Sequence, residues 1–187
     1  MKKIDIIGIM AQDQDGLVGL NNDLPWAGDP ETKWDMQHFK STTTGYPVIM
    51  GYKTFLTFKK PLKNRINFVI DSHDSLSSQD NVKRAAEVKE FNDTEFYTVD
   101  SLKSAKEIIE QFIDTDKAFL IGGATTIIRA IINNSLDKFI LTTFDKSYFK
   151  DSEDPVYLSL DSVDYTITDT FVVADNGKIE YIDFNKG

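Results

Sequence analysis

Five short runs of largely apolar residues limit this chain to one class of fold. Ile4–Met10 is apolar on both faces except for Asp5, and Pro47–Met50, Asn67–Ile70, Phe96–Val99 and Ala118–Ile121 each hold three or four mostly apolar residues. Runs this short are strands, and strands apolar on both faces belong inside a parallel sheet. Parallel neighbours need crossover connections, and helical patterns lie between the runs. Asp29-Pro30-Glu31 has the cap, first-turn proline and early acid of a helix reaching Thr43. Ser101 caps a second helix whose stripe is Leu102, Ala105, Ile108, Ile109 and Phe112. Gly122-Gly123 leads into a third, Ala124–Ile132, ended by Asn133-Asn134.

Towards the C-terminus the pattern changes. Phe139–Phe144 reads as a strand, and Tyr165–Val173 and Lys178–Phe184 flank the turn Asp175-Asn176-Gly177 as a hairpin. The expectation is an α/β fold: a mostly parallel central sheet, an antiparallel C-terminal hairpin, and helices on both faces. Ser72–Asp93 is polar and weakly patterned and reads as a surface excursion. No linker or repeat interrupts the 187 residues, so a single domain over 1–187 is expected.

Composition removes whole classes of chemistry. The absence of cysteine excludes disulfides, thiolate nucleophiles and thiolate metal sites, and two histidines, His38 and His73, do not make a multi-histidine centre. No metal is expected. Asp5 interrupts the apolar stretch after Lys2-Lys3, so no export signal is read, and no run approaches a membrane span. A cytoplasmic protein is expected. The net charge of -9 disfavours nucleic acid and anionic membranes as partners. That charge is unevenly spread. Residues 36–70 contain no acid and carry Lys40, Lys53, Lys59, Lys60, Lys63 and Arg65, while the other 152 residues hold 15 bases and 30 acids. A window of +6 in so acidic a chain is either a solvated face or a pocket for small anions.

Three features carry possible chemistry. Gly122-Gly123 between a strand and a helix lets backbone approach a phosphate at the helix start, or simply makes a tight turn. Gly51 likewise follows a strand and precedes Lys53-Thr54, and two such turns at strand ends fit a dinucleotide lying across a sheet. Asp35 lies beyond the first helical turn, beside Met36 and four residues before Phe39. It is either an exposed neighbour of Lys33 or an inward carboxylate suited to a ligand with paired N–H donors. Finally, Gly8–Gly28 holds four glycines, two asparagines, three aspartates and Pro25-Trp26, and reads as a mobile loop able to close over a site.

These strings together resemble the dihydrofolate reductase family. Gly19-Leu20-Asn21-Asn22-Asp23-Leu24-Pro25-Trp26 is similar to its active-site loop, and Asp35-Met36-Gln37-His38-Phe39-Lys40 to its acid-bearing helix. Pro47-Val48-Ile49-Met50-Gly51, Lys53-Thr54, Pro61-Leu62, Arg65, Asn67 and Ile121-Gly122-Gly123-Ala124 follow in the family's order. The resemblance implies a dihydrofolate-reductase-like fold and reduction of 7,8-dihydrofolate by NADPH, with NADH as a possible donor. It implies that Asp35 holds the pterin and favours N5 protonation, supported by Thr142, with Leu24 and Trp26 completing the catalytic set. Ile9, Met10, Ala11, Leu24, Met36, Phe39, Thr54, Phe58, Leu62 and Ile121 would line the substrate pocket, and Arg65 would pair with the glutamate tail. Ala11, Gly19, Asn22, Leu24, Gly51, Tyr52, Lys53, Thr54, Ile70, Asp71, Ser72, Ile121, Gly122, Gly123, Ala124, Thr125 and Ile127 would line the cofactor. A monomer inhibited by antifolates such as methotrexate or trimethoprim is implied.

The chain also departs from the family's pattern. Tyr52 stands where an arginine that holds the 2′-phosphate of NADPH is usual, and Asp71-Ser72 replaces a serine, threonine or arginine pair. Ile127 replaces a tyrosine, and the acidic-Gly-Asp-Thr segment is missing from Lys150–Val156. Two alternatives therefore stand: a riboflavin-pathway pyrimidine reductase of the same fold, and a catalytically silent nucleotide-binding module.

Overall fold

The computed structural model describes residues 2–21, 23–58, 60–73, 77–149, 151, 154–173 and 176–185. In chain order the elements are β1 (Asp5–Gln12), β2 (Leu17–Leu20), α1 (Lys33–Thr43), β3 (Val48–Gly51), α2 (Tyr52–Thr57), β4 (Asn67–Ile70), α3 (Ser78–Glu87), β5 (Phe96–Val99), α4 (Leu102–Phe112), β6 (Lys117–Gly122), α5 (Ala124–Ile132), β7 (Lys138–Phe144), β8 (Pro155–Tyr157), β9 (Tyr165–Val172) and β10 (Gly177–Phe184). Strand β1 runs through two units, one of residues 1–7 and 43–123, the other of residues 8–42 and 124–187.

In the first unit the strands lie in the order β5-β4-β3-β6, with β1 next to β6. The pairs β3–β4, β3–β6 and β4–β5 are all parallel. Val48, Ile49, Met50, Phe68 and Leu120 are wholly buried, as expected of strands apolar on both faces. The register sets Gly51 against Ile70 and Ile70 against Val99, so three strands end in one row. Strand β5 departs from the expectation of a central strand. It ends the order, and with one neighbour its Phe96 and Tyr97 are only half-buried and Thr98 is exposed.

The second unit is antiparallel beyond β7. Its strand order is β1-β7-β10-β9, and β10 pairs antiparallel with both β7 and β9, with a bulge between Tyr181 and Ile182. The hairpin expected from the Asn176-Gly177 turn is present, and Asp175 lies outside the described residues. Gly177 has φ +139°, and an added Cβ would run into the Thr143 carbonyl, so only glycine suits this start of β10.

Three local readings change. Gly8–Gly28 is not one mobile loop: its first residues continue β1, and β2 pairs antiparallel with β8. Leu17, Val18, Leu20 and Trp26 are buried. Its glycines disguise a strand whose partner lies far along the chain. Within Ser72–Asp93 the structure places α3, and directly after Gly51 it places α2, neither of them expected from the pattern. Helix α3 has few apolar residues to signal it, and its start is fixed by a capping box. Ser77 Oγ accepts from Asp80 N at 3.2 Å while Asp80 Oδ2 accepts from Ser77 N at 3.3 Å. Before α1, Pro30–Thr32 forms a 3-10 turn capped by Asp29 as expected. Among the described residues no helix is long and apolar enough to cross a membrane. Ser77→Ala should lower stability by about 1 kcal/mol, read from the urea midpoint at unchanged denaturant slope.

Candidate active site

Asp35 is the third residue of α1, within hydrogen-bonding reach of Thr142 on β7. Thr142 is 2% exposed because it continues the buried row of Phe139, Ile140 and Leu141. Burial pushes the Asp35 carboxyl above the ordinary carboxylate range, against the Thr142 hydroxyl and the His38 charge, which favour ionisation. Burial in turn lowers the His38 imidazole's pKa, against the pull of Asp35. Nε2 of His38 and Nε1 of Trp34 are buried without a partner among the described residues. A carboxyl held this way has an elevated proton affinity, and its ionised fork matches two parallel N–H donors.

The other expected residues of this unit are disposed unequally. Ile9 is buried, Met10, Ala11, Gly19, Phe39 and Ala124 are half-buried, and Thr125 is exposed. Leu24 and Met36 are 47% and 55% exposed, so neither belongs to the core. Trp26 is 4% exposed, edge-on to Phe144 with ring centroids 4.9 Å apart. Ile127 is 1% exposed, part of the buried face of α5. Asn22 lies outside the described residues.

Sequence reasoning missed how the start of α1 is anchored. Asp29 Oδ1 accepts from Glu31 N at 2.9 Å, and its Oδ2 accepts from Lys146 Nζ and Tyr148 Oη, both at 2.8 Å. The Lys146 ammonium, then the Glu31 and Tyr148 bonds, hold Asp29 down at about 2, while burial and Asp29 push Tyr148 up to about 12. Nearby in sequence, Asp13 is fully buried. Its carboxylate accepts from the backbone N–H groups of Asp15 and Leu17 at 2.9 Å and of Tyr148 at 2.8 Å. The stretch 145–148 thus ties down both the turn after β1 and the start of α1. The cap signal pointed to Asp29, but nothing local signalled partners more than a hundred residues away.

The first unit holds a different set. A Cβ added to Gly122 or Gly123 would lie 3.2 or 3.0 Å from Thr54 Oγ1, so glycine keeps the turn's backbone open beside that hydroxyl. Gly51 is buried, Ile121 and Thr54 are half-buried, and Tyr52 and Lys53 are exposed at the start of α2. Phe58 and Leu62 are half-buried. Asn67 locks the approach to β4, accepting from Leu62 N at 2.9 Å and donating to Leu62 O and Arg65 O at 3.1 and 2.7 Å. Arg65 is 8% exposed; its Nε donates to Lys63 O at 3.0 Å and its Nη1 to Thr43 Oγ1 at 3.1 Å. Burial lowers its pKa from an extreme starting value, so it remains a cation. Ile70 and Asp71 are half-buried and Ser72 is exposed. The structure therefore joins Asp35 to Thr142, and sets Thr54 beside the glycine pair.

Residues 5–182 match the family described as dihydrofolate reductase. The chain belongs to the dihydrofolate reductase family. It is 27% identical over 180 residues to the dihydrofolate reductase of Mycoplasma genitalium, covering 96% of this chain and 94% of that protein. It is 33% identical over 116 residues to the Bacillus subtilis dihydrofolate reductase, covering 62% of this chain and 56% of that one. The chain spans 23% of a Mycoplasmoides gallisepticum relative named segregation and condensation protein A, and 29% of the bifunctional dihydrofolate reductase-thymidylate synthase of Paramecium tetraurelia. Its fold matches a solved Enterococcus faecalis dihydrofolate reductase complexed with NADP(H) and RAB-propyl, with a TM-score of 0.67, 20% identity and 97% of each chain covered.

The dihydrofolate reductase fold holds Asp35 at a cost with a definite sign. Its raised pKa means that the folded chain binds this proton more tightly than the unfolded chain. Stability from this site is therefore greatest at low pH and falls as pH rises from the ordinary carboxylate range, near 4, towards the raised value. Asp35→Asn should be more stable than the parent near neutral pH, about pH 7, with the difference closing on acidification, measured by thermal melts across pH. Asp29→Asn should show the reverse: destabilised at neutral pH, with the deficit shrinking as pH falls below the ordinary value of 3.8 towards about 2.

Proposed function

We propose that this chain reduces 7,8-dihydrofolate to 5,6,7,8-tetrahydrofolate, as a monomeric cytoplasmic enzyme working as one dihydrofolate-reductase-like domain over 1–187. The observation that carries this reading is the half-buried Asp35 carboxyl backed by Thr142 in a chain of this family. Asp35 receives the pterin's amino group and ring N3–H on its two oxygens and favours a proton at N5. Arg65, oriented by Lys63 O and Thr43, pairs with the carboxylate of the substrate's glutamate tail. Trp26 and Leu24 complete the catalytic set, and Ile9, Met10, Ala11, Met36, Phe39, Thr54, Phe58, Leu62 and Ile121 are the further residues assigned to the substrate's pterin and benzoyl rings.

The residues present fit a nicotinamide dinucleotide. The Gly122-Gly123 turn, kept open beside Thr54, offers backbone N–H groups to phosphate, with Gly51, Lys53 and Ala124 alongside in sequence. When bound, NADPH supplies the hydride that C6 receives. Gly19, Asn22, Tyr52, Ile70, Asp71, Ser72, Thr125 and Ile127 are the further residues assigned to it. A pyrimidine reductase of riboflavin synthesis has no use for the Pro25-Trp26, Asp35 and Arg65 set, which favours the folate reading. Antifolates such as methotrexate or trimethoprim are the matching inhibitors.

The test is loss of reduced-nicotinamide absorbance with dihydrofolate, and its suppression by methotrexate. Asp35→Asn should lower turnover at neutral pH by a factor on the order of a hundred or more while the fold persists by circular dichroism. Full activity in that variant would remove Asp35 as the acid. Arg65→Ala should weaken folate and methotrexate binding by about 1.5–3 kcal/mol, the usual worth of a hydrogen bond to a charged group; unchanged affinities would refute its role.

A further inference from the structure

We infer that the ribose end of the dinucleotide site accepts a free 2′-hydroxyl, so that NADH is a working hydride donor beside NADPH. This rests on the reading of the Gly51 and Gly122-Gly123 turns as a dinucleotide site. Ligands of open α/β sheets lie beyond the carboxyl ends of parallel strands. Here β3, β4 and β5 end in one row, Gly51 beside Ile70 beside Val99. The residues that leave the row are therefore Tyr52, Asp71 and Asp100. None of the three is a base.

Both acids are fixed in place. Asp71 N donates to Val99 O at 2.8 Å, and its Oδ1 accepts from His73 N at 3.0 Å. Asp100 Oδ1 accepts from Ser101 Oγ at 2.8 Å and from Ser104 Oγ. A 2′-phosphate adds up to about two negative charges at this edge. The positions that leave the row hold two acids and a phenol, Asp71, Asp100 and Tyr52, and no guanidinium fork. A free 2′-hydroxyl has the opposite fit, because a carboxylate at a strand end accepts its proton in a hydrogen bond. Lys53, exposed one residue beyond Tyr52, supplies a flexible cation that keeps the phosphorylated donor acceptable. The row thus narrows the preference for NADPH.

Titration calorimetry of the full chain with NAD+ and with NADP+ tests this directly, alongside turnover of dihydrofolate with NADH and NADPH. The two dissociation constants should agree within about tenfold, which is about 1.4 kcal/mol. Tyr52→Arg combined with Asp71→Ser should move their ratio at least about tenfold towards NADP+. Parent protein binding NADP+ more than about a hundredfold tighter than NAD+ overturns the inference and leaves the dinucleotide reading intact. An unmoved ratio in the folded double variant, confirmed by its melting curve, also overturns it. Binding of neither nucleotide overturns both this inference and the dinucleotide reading.

Discussion

The half-buried Asp35 carboxyl, bonded to Thr142, is the constraint on which the second unit turns. A desolvated acid is tolerated only where donors are ready for it and its helix cannot shift away. Thr142 supplies the donor from the middle of a buried strand, where its own movement is restricted by packing on either side. The helix is held at its start by Asp29, through a backbone bond to Glu31 and side-chain bonds from Lys146 and Tyr148. These polar ties fix the turn that leads into the acid's helix. The stability given up at Asp35 is the usual mark of a group kept for its chemistry.

The first unit answers a different requirement with different means. Its basic window looked like a single electrostatic feature, but the structure divides it. Arg65 is buried and oriented, whereas Lys40, Lys53, Lys60 and Lys63 are exposed and contribute a screened, diffuse potential. Arg65 is thus a fixed, part-desolvated cation, and the described lysines of the window are solvated ones.

The fold was legible where periodicity is dense. Strands Asn67–Ile70 and Phe96–Val99 and helices Leu102–Phe112 and Ala124–Ile132 have the limits the pattern predicts, because a short, largely apolar run or one apolar stripe leaves few alternatives. It was illegible where stabilisation is polar or distant. Helix α3 is set by a reciprocal cap and two buried positions, Asn81 and Ala85, and β2 by a partner strand near the other end of the chain. For the site, Asp35, Thr142 and the glycine turn could be named from motifs. The ties at Asp29 and Asp13 could not, since a carboxylate's partners are chosen by tertiary geometry and leave no local spacing. The row of Tyr52, Asp71 and Asp100 became visible only with the strand register.

Each unit is also assembled from pieces distant in the chain: residues 8–42 require 124–187, and residues 1–7 require 43–123. During synthesis, α1 and the turn around Asp13 emerge early, yet Lys146 and Tyr148 are more than a hundred residues behind them. The nascent N-terminal third must therefore wait, with Leu17, Val18 and Trp26 lacking much of their final cover, until β7 and the stretch after it leave the ribosome. Contacts this far apart in sequence slow folding and lengthen the exposure of apolar surface. The same ties that steady the acid make its helix one of the last parts of the chain to be secured.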